Sequence, residues 1–188
     1  DCLLSRGLGD VYKRQVLYRE TIAEEVVGYG HYEPLRHYAE VHLRLSPAPR
    51  GSGISFDSEC PTDILAQNWQ NLVRTHVFEK KHKGVLTGSE LCDVKVTLLT
   101  GRSHLKHTEG GDFREATYRA IRQGLEQLLH QDKMILLEPY YAFSISLESE
   151  QAGRLMADLQ RMECSFGSPQ MEEERMILEG RGPAAVLS

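Results

Sequence analysis

The chain has 188 residues, a length suited to one or two small domains, and a hydrophobic fraction of 40% that is ordinary for a globular protein. Its formal net charge of -5 argues against a surface that attracts nucleic acid everywhere, so any RNA contact must come from a local basic patch. No apolar run approaches the ~20 residues of a membrane span, and four widely spaced cysteines without a CxxC pair argue against a disulfide framework or a zinc cluster and favour a reducing cytoplasm.

The first fifteen residues differ from the rest of the chain. Residues 10–15 can be written in codons that resemble the end of a transposon-based sequencing adapter, and the complement of that adapter would encode Leu187 and Ser188. The segment also lacks the apolar core of a signal peptide. We therefore expect residues 1–15 to be a non-native, adapter-derived segment; a natural disordered N-terminus is the alternative.

The first predicted elements after this segment are a loop and a hairpin. Residues 16–20 are expected to be the end of a preceding domain, and residues 28–37 contain two glycines and a proline, a composition that predicts a loop. Residues 38–46 alternate apolar and polar side chains with the period of a half-buried strand. Apolar residues resume after the turn at 47–53, so residues 38–57 are predicted to form a β-hairpin.

Two amphipathic helices frame a second strand. Residues 62–83 carry apolar side chains at three- and four-residue spacing, which predicts a helix between a cap at Thr62 or Asp63 and a stop at Gly84. Residues 91–99 alternate as a strand, and after a polar loop Asp112 is predicted to cap a second helix. These elements belong to a first structural unit.

The end of the chain predicts a second unit with the order β-α-β-β. Residues 141–147 alternate as a long strand, a helix follows Ser149, and a short strand precedes another at 174–180. The acidic run at 172–174 is expected to be a solvated turn rather than a carboxylate site. Since the regular two-layer pattern is β-α-β-β-α-β, a final helix and strand are expected to be missing, and this unit is expected to be less stable than the first.

The order of these segments resembles a known family. The run CDVKVTLLTGRSH, then a polar loop, an amphipathic helix and ILLEPYYAFSISLES is similar to the end of domain IV and the start of domain V in elongation factor G. The most specific piece is Leu-Leu-Glu-Pro at 136–139, the junction of those domains. SPAPRGSG, QNWQNLVR, CDVK and GDFR look closer to the tetracycline-resistance ribosomal protection proteins. Each motif is modest, but their order and spacing match together over residues 16–186.

The resemblance implies an α/β (α+β) fold in two parts, belonging to the C-terminal region of a translational GTPase. Residues 21–135 would be domain IV, like the second domain of ribosomal protein S5, and residues 136–188 an incomplete domain V, a ferredoxin-like βαββ unit. In the family a separate N-terminal domain binds GTP and Mg and hydrolyses the GTP. Because GxxxxGK[ST] is absent here, we expect no cofactor and no catalytic residue in this segment.

The resemblance also implies where the chain acts. The family's domain IV reaches the decoding region of the small ribosomal subunit through loops at its tip, so the expected partners are the ribosome and its small-subunit RNA. A cytoplasmic monomer with no membrane partner is expected. A histidine similar to His104, in the segment GRSH, lies at the tip of elongation factor G, and that role is carried over to His104.

Eight side chains on two loops form the candidate RNA-binding tip. The loops, 29–37 and 101–107, become neighbours if adjacent strands carry them. Arginine and lysine can contact phosphate, and arginine, tyrosine and histidine can stack on exposed bases. The eight candidates are His31, Tyr32, Arg36, His37, Arg102, His104, Lys106 and His107.

Several interpretations compete with this one. Lys106 stands where resistance proteins carry a proline, and the first loop is less apolar than theirs, so translocation and tetracycline protection both stay open. A stand-alone RNA-binding module with the same folds and no GTPase is the main alternative, and an unrelated α/β enzyme is a third. The histidine spacings do not match a four-ligand zinc site, Cys60 has no obvious activating partner, and Trp69 is expected in the core.

Overall fold

The computed structural model describes residues 16–172 and 175–187. The predicted adapter segment, 1–15, and the centre of the predicted acidic turn, 173–174, lie outside the described residues. The chain divides into two compact units, one spanning Tyr18–Leu137 and the other containing Glu138–Ser188. Within the described residues no helix is both long enough and apolar enough to cross a membrane.

The larger unit contains two sheets and two helices. The strands are β1 (Arg19–Ile22), β2 (Val26–Tyr32), β3 (Ala39–Pro47), β4 (Ile54–Ser58), β5 (Glu90–Leu91), β6 (Val94–Ser103) and β7 (Met134–Leu137), and the helices are α1 (Gln67–Phe78) and α2 (Gly110–His130). One sheet has the order β2-β3-β6-β4 and the other the order β5-β1-β7. The predicted domain bounds stay a prediction; Arg19 and Glu20, expected at the end of a preceding domain, lie in β1 of this unit.

Strand β3 has the alternation that the sequence predicted. Its inward side chains, Val41, Leu43 and Leu45, are completely buried in the core beneath α1 and α2. The predicted hairpin over 38–57 is wrong, because β6 lies between β3 and β4 and pairs with β4 in parallel. Hydrogen bonds between the turn and β6 explain this, since the amide of Val94 donates to the carbonyl of Gly53 over 3.0 Å.

The prediction of a loop over 28–37 is wrong for its first half, which forms the end of β2. The glycines there serve packing rather than a turn. A Cβ on Gly28 would lie 2.0 Å from the carbonyl oxygen of Ala120, and one on Gly30 would lie 1.8 Å from that of Ala116. Glycine at these positions therefore lets α2 lie directly against the strand.

Helix α1 is shorter at both ends than the predicted span of 62–83. Before it, the Gln70 side chain donates to the carbonyls of Cys60 and Leu65, over 3.0 and 2.8 Å, and holds a separate turn. After it, His82 Nε2 donates to the carbonyl of Val77 over 2.9 Å, so a side chain satisfies a carbonyl that a longer helix would have used. Ala66, and neither Thr62 nor Asp63, is therefore the N-cap residue, and the helix ends before Gly84.

Two further predictions, for the strand over 91–99 and for the cap of α2, differ from the structure. The strand predicted over 91–99 is two strands, because Asp93 adopts a positive φ of 57° between β5 and β6. Asp112 is not the cap of α2 but its third residue, and it forms a capping box with Glu109. Trp69, predicted in the core, packs against it and stacks on Phe113 with ring centroids 5.2 Å apart.

The smaller unit begins with the predicted strand, helix and short strand, but it has one more short strand before the final long strand and a four-residue helix after it. Its elements are β8 (Tyr140–Glu148), a 3-10 turn (Ser149–Gln151), α3 (Ala152–Arg161), β9 (Ser165–Phe166), β10 (Gln170–Glu172), β11 (Arg175–Pro183) and the short α4 (Ala184–Leu187). Strand β11 pairs antiparallel with β8 on one side and with β9 and β10 on the other. The later long strand thus lies between the first strand and the short ones, as in a ferredoxin-like unit.

Candidate nucleic-acid interface

Two loops of the larger unit meet at one end of its four-stranded sheet. Because β3 lies between β2 and β6, the loop before β3, residues 33–38, and the loop after β6, residues 104–109, leave the same end. The amide of Tyr38 donates to the carbonyl of His107 over 2.8 Å, and Thr108 Oγ1 donates to the carbonyl of Tyr38 over 2.7 Å. The structure therefore joins the two predicted loops into one surface, called the tip below.

The tip encloses an open groove of about 570 Å³. The side chains of Leu35 and Leu105, one from each loop, are almost completely exposed. Such projecting apolar groups beside cations can contact unstacked bases while the cations contact phosphates. The groove is lined by Glu33, Pro34, Leu35, Arg36, His37, Tyr38, His104 and His107.

The second loop holds its two histidines as a stacked pair. The rings of His104 and His107 lie 4.6 Å apart at 20°. The backbone fixes this arrangement, because the His107 amide donates to the His104 carbonyl over 3.1 Å and the His104 amide donates to Thr108 Oγ1 over 2.6 Å. Lys106 lies between the two histidines in sequence and is exposed. This loop therefore presents a flat aromatic surface and a cation together.

The first loop divides its candidates between binding and structural positions. Arg36 is exposed and adopts a positive φ of 64°, whereas His37 Nδ1 lies 3.0 Å from the Asp112 carboxylate at the start of α2. His37 thus ties the tip to a helix terminus as well as lining the groove. His31 and Tyr32 belong to β2 and are not part of the groove lining.

Tyr32 and Arg102, two of the predicted candidates, lie outside the groove lining. Arg119, from α2, lies 5.0 Å from the centroid of the Tyr32 ring and donates to the carbonyl of His31 over 3.0 Å. Arg102 is exposed near the end of β6, opposite Glu40 on β3. The structure therefore places Arg36, His37, His104 and His107 in one groove but does not gather all eight predicted side chains there.

Sequence reasoning missed a polar cluster behind the tip. Glu40 accepts hydrogen bonds from Tyr38 Oη over 2.8 Å and from His42 Nε2 over 3.0 Å. Burial acts to raise the pKa of Glu40, but the bonds from Tyr38 and His42 and the charge of His31 outweigh burial and lower it. Burial and the bond to Glu40 raise the pKa of Tyr38. Strand alternation could have found this cluster, because residues 38, 40 and 42 share one strand face.

Two features of the described residues bear on metal and thiol chemistry. They contain no group of three or more histidine, cysteine, aspartate or glutamate side chains placed to hold a metal ion. Burial raises the pKa values of the Cys60 and Cys92 thiols, which keeps both protonated at neutral pH. What the tip can do chemically is bind, through cations, rings and exposed apolar side chains.

Comparisons with known proteins point to translation factors. The sequence model described as elongation factor G, domain IV, matches residues 14–127. An elongation factor G-like protein of Thermotoga maritima is 29% identical over 154 residues, covering 80% of this chain and 22% of that protein. The tetracycline resistance protein TetP of Clostridium perfringens is 29% identical over 190 aligned residues, covering 96% of this chain and 28% of that protein.

A solved structure extends the likeness to three dimensions. A crystal structure of a protein from Thermus thermophilus matches 92% of this chain and 26% of its own, with a TM-score of 0.82 and 25% identity. The match confirms the predicted fold class, an α/β (α+β) fold with an S5 domain 2-like part. The chain spans about a quarter of the length of the proteins that it matches.

Proposed function

Because this chain belongs to the elongation factor G domain IV family, as its sequence resemblance predicted, we propose that it is the ribosome-binding region of a translation factor. The tip enters the decoding region of the small ribosomal subunit. There it acts in translocation or in protecting the ribosome from tetracycline. The likeness to an elongation factor G-like protein and to a tetracycline resistance protein supports both activities.

The observation that carries this proposal is the joined pair of loops. The stacked rings of His104 and His107 offer a flat surface for an unstacked base, and the exposed Arg36 and Lys106 lie in the same two loops. Single-stranded loops and bulges of RNA are the usual targets of such surfaces, because their bases are free to stack on protein side chains.

The charges at the tip are available for phosphate. Among residues 16–172 and 175–187, no carboxylate lies within ion-pair distance of Arg36, Arg102 or Lys106. The nearby acids Glu40 and Asp112 are hydrogen-bonded to tip and strand residues instead. A local cationic end on a chain of net charge -5 favours contact with RNA through that end alone.

The mechanism is mechanical in this region. A separate domain of the parent protein binds GTP and Mg, and hydrolysis there moves or fixes the arm that carries the tip. This chain itself contributes binding and positioning and holds no cofactor. The parent works in the cytoplasm as a monomer on the ribosome, without a membrane partner.

Binding to isolated small ribosomal subunits tests the proposal. We expect the 188-residue chain to bind. The triple variant Arg36→Gln, Arg102→Gln, Lys106→Gln should bind at least about tenfold more weakly, because each lost phosphate contact removes part of the salt-dependent binding free energy. The matched control variant is Arg50→Gln, Arg154→Gln, Arg161→Gln, which changes the net charge equally. Its affinity should lie within about twofold of that of the unmodified chain. An equal loss of affinity in both variants would mean that the chain binds through nonspecific charge, and would contradict a role for the tip.

The alternative, a stand-alone RNA-binding module without a GTPase, differs in its gene. The proposed translation factor requires a continuous reading frame upstream of Val16 that encodes GxxxxGK[ST]. A native start codon near Val16 with no such motif upstream would favour the module and remove GTP from the mechanism. Sequencing the intact gene distinguishes the two.

A further inference from the structure

A second cationic surface lies farther along α2 and takes no part in the tip. It is a cavity of about 310 Å³ whose charged lining residues are Lys80, Lys81, Lys83 and Arg122; we call it the lysine pocket. Arg122 follows Asp112, the tip's contact on α2, by ten residues, which is about 15 Å along a helix at ~1.5 Å per residue. The lysine pocket is therefore a separate surface of the same unit.

The backbone presents these lysines because α1 ends before them. His82, between Lys81 and Lys83, is buried and donates to the carbonyl of Val77 over 2.9 Å. The amide of Leu91 donates to the carbonyl of His82 over 2.8 Å, which fixes the segment to β5. Burial lowers the pKa of His82, so this ring is neutral and the charge of the pocket comes from its lysines and arginine.

Tyr118 gives the lysine pocket a rigid aromatic wall. Lys80 Nζ lies 3.2 Å from the centroid of the Tyr118 ring, and Tyr118 Oη donates a hydrogen bond to Glu79. Burial and that bond raise the pKa of Tyr118 to about 12, so the phenol stays protonated. Glu79 also forms an ion pair with Arg114 over 3.0 Å. The charge of Glu115 is a further contribution that raises the pKa of Tyr118.

The pocket keeps an excess of positive charge after its ion pairs are counted. Lys81 lies 3.0 Å from Glu90, and Arg122 lies 2.8 Å from Glu126 on the exposed helix face. Exposed pairs of this kind contribute little and are easily exchanged for another anion. In the part of the chain that the structure describes, the two lysines of the pocket without a carboxylate at ion-pair distance are Lys80 and Lys83.

We propose that the lysine pocket binds the phosphate backbone of an RNA strand, as a contact separate from the tip. Lysine ammonium groups are compact charges suited to phosphate, and the Tyr118 ring holds one of them, Lys80, in the pocket. A protein partner fits less well, because the cores of protein interfaces are apolar and depleted in lysine, whereas the lysine pocket has only Tyr118 and Ile121 as large nonpolar lining.

Fluorescence anisotropy with a labelled single-stranded RNA of about 20 nucleotides tests this contact on the 188-residue chain. The variant Lys80→Gln, Lys83→Gln, Arg122→Gln should bind about tenfold more weakly at low salt. Its slope of log affinity against log salt should fall by about 2, or ~0.7 for each of three lost phosphate contacts. The control variant Arg50→Gln, Arg154→Gln, Arg161→Gln should keep its affinity within about twofold of the unmodified 188-residue chain and should leave the slope unchanged.

Other arms make each outcome decisive. If the pocket variant binds RNA like the control variant, the proposal is overturned. Poly-glutamate serves as a probe for an acidic protein partner. If it binds the 188-residue chain as tightly as the RNA does, and the pocket variant loses that binding, the proposal is overturned and an acidic protein is the partner. Should the triple variant fail to fold, Arg122→Gln alone, which breaks only an exposed pair, is expected to lower RNA affinity about threefold. The tip variant, Arg36→Gln, Arg102→Gln, Lys106→Gln, distinguishes the two proposals in the same assay. It removes the charges of the tip but leaves the lysine pocket unchanged, so the contribution of the pocket to RNA binding should remain.

Discussion

The two units of this chain are built from similar elements but differ in how much they bury. Among the described residues, the larger unit has a continuous core of 20 buried side chains, including Phe113, whereas the core cluster of the smaller unit contains Leu159, Cys164 and Leu178. In α3 only Leu159 is buried, although its apolar residues follow helical spacing. Amphipathic periodicity therefore forms elements in both units, but stability comes from the apolar area that a second layer covers.

This difference predicts the largest effect for a core truncation in the larger unit. Phe113→Ala should lower its free energy of unfolding by about 4 kcal/mol, since the ring is completely buried and stacked on Trp69. The matched change Phe143→Ala in the smaller unit should cost less, about 2 kcal/mol, because that ring is only partly buried against a small core. Denaturant unfolding followed by hydrogen exchange of each unit measures both. Equal losses would remove the contrast between the two cores.

Glycine substitutions should act with opposite signs in the two units. Gly30→Ala would place a Cβ 1.8 Å from the Ala116 carbonyl oxygen, so we expect a loss of about 3 kcal/mol in the larger unit. Gly153 in α3 has no atom within 4 Å of an added Cβ, and Gly153→Ala should stabilise the smaller unit by about 0.7 kcal/mol through helix propensity. Thermal unfolding of each variant tests the pair; destabilisation by Gly153→Ala would contradict the open packing of α3.

A buried carboxylate supplies the next effect, and it depends on pH. Glu20 accepts bonds from the amides of Leu86, Thr87 and Ser89 over 2.8, 2.9 and 3.0 Å. Burial acts to raise its pKa, but these bonds and the Thr87 hydroxyl together lower it. Glu20→Gln should therefore cost about 2 kcal/mol at neutral pH.

The sign of the pH dependence follows from the lowered pKa. A carboxyl group whose pKa is lower when folded stabilises the protein above its unfolded pKa, and this contribution is lost as the pH falls through the folded pKa. The difference between Glu20→Gln and the parent chain should thus shrink in acid. Unfolding measured from neutral to acidic pH checks this, and a difference that grows in acid would show that the carboxylate is not stabilised by these bonds.

The smallest effect on stability is expected at the tip. Leu105→Ser should change the free energy of unfolding by less than about 0.5 kcal/mol, because the side chain is fully exposed. The same variant should weaken binding to small ribosomal subunits, whereas Leu86→Ser, an exposed leucine of the 84–89 loop, should not. A large loss of stability from Leu105→Ser would mean that the tip belongs to the core after all.

The elements that sequence predicted correctly are those with local causes. The alternation of β3 and the apolar periodicity of α2 act within a few residues, so their pattern suffices. The end of α1 depends on His82, which β5 holds in place through the amide of Leu91, and the strand character of residues 28–32 depends on α2, almost ninety residues later. Composition alone made those glycines indistinguishable from loop glycines.

The candidate site divides along the same line. The sequence predicted that the two polar loops would lie side by side if adjacent strands carried them. In the structure β2 and β6 flank β3, and the loops do meet. The bond between His37 and Asp112, and the stacking of Arg119 on Tyr32, join residues far apart in sequence. No local pattern encodes such partners, so sequence alone could not separate the groove residues from those held against α2.

The most direct test of the proposed tip function places a photo-crosslinking amino acid at Leu105, the most exposed apolar position of the tip. After irradiation with small ribosomal subunits, we expect crosslinks to RNA of the decoding region, and none from the same label at Ile64, which is exposed outside the tip. Crosslinks from both positions to scattered RNA, or from Ile64 alone to the decoding region, would contradict the account.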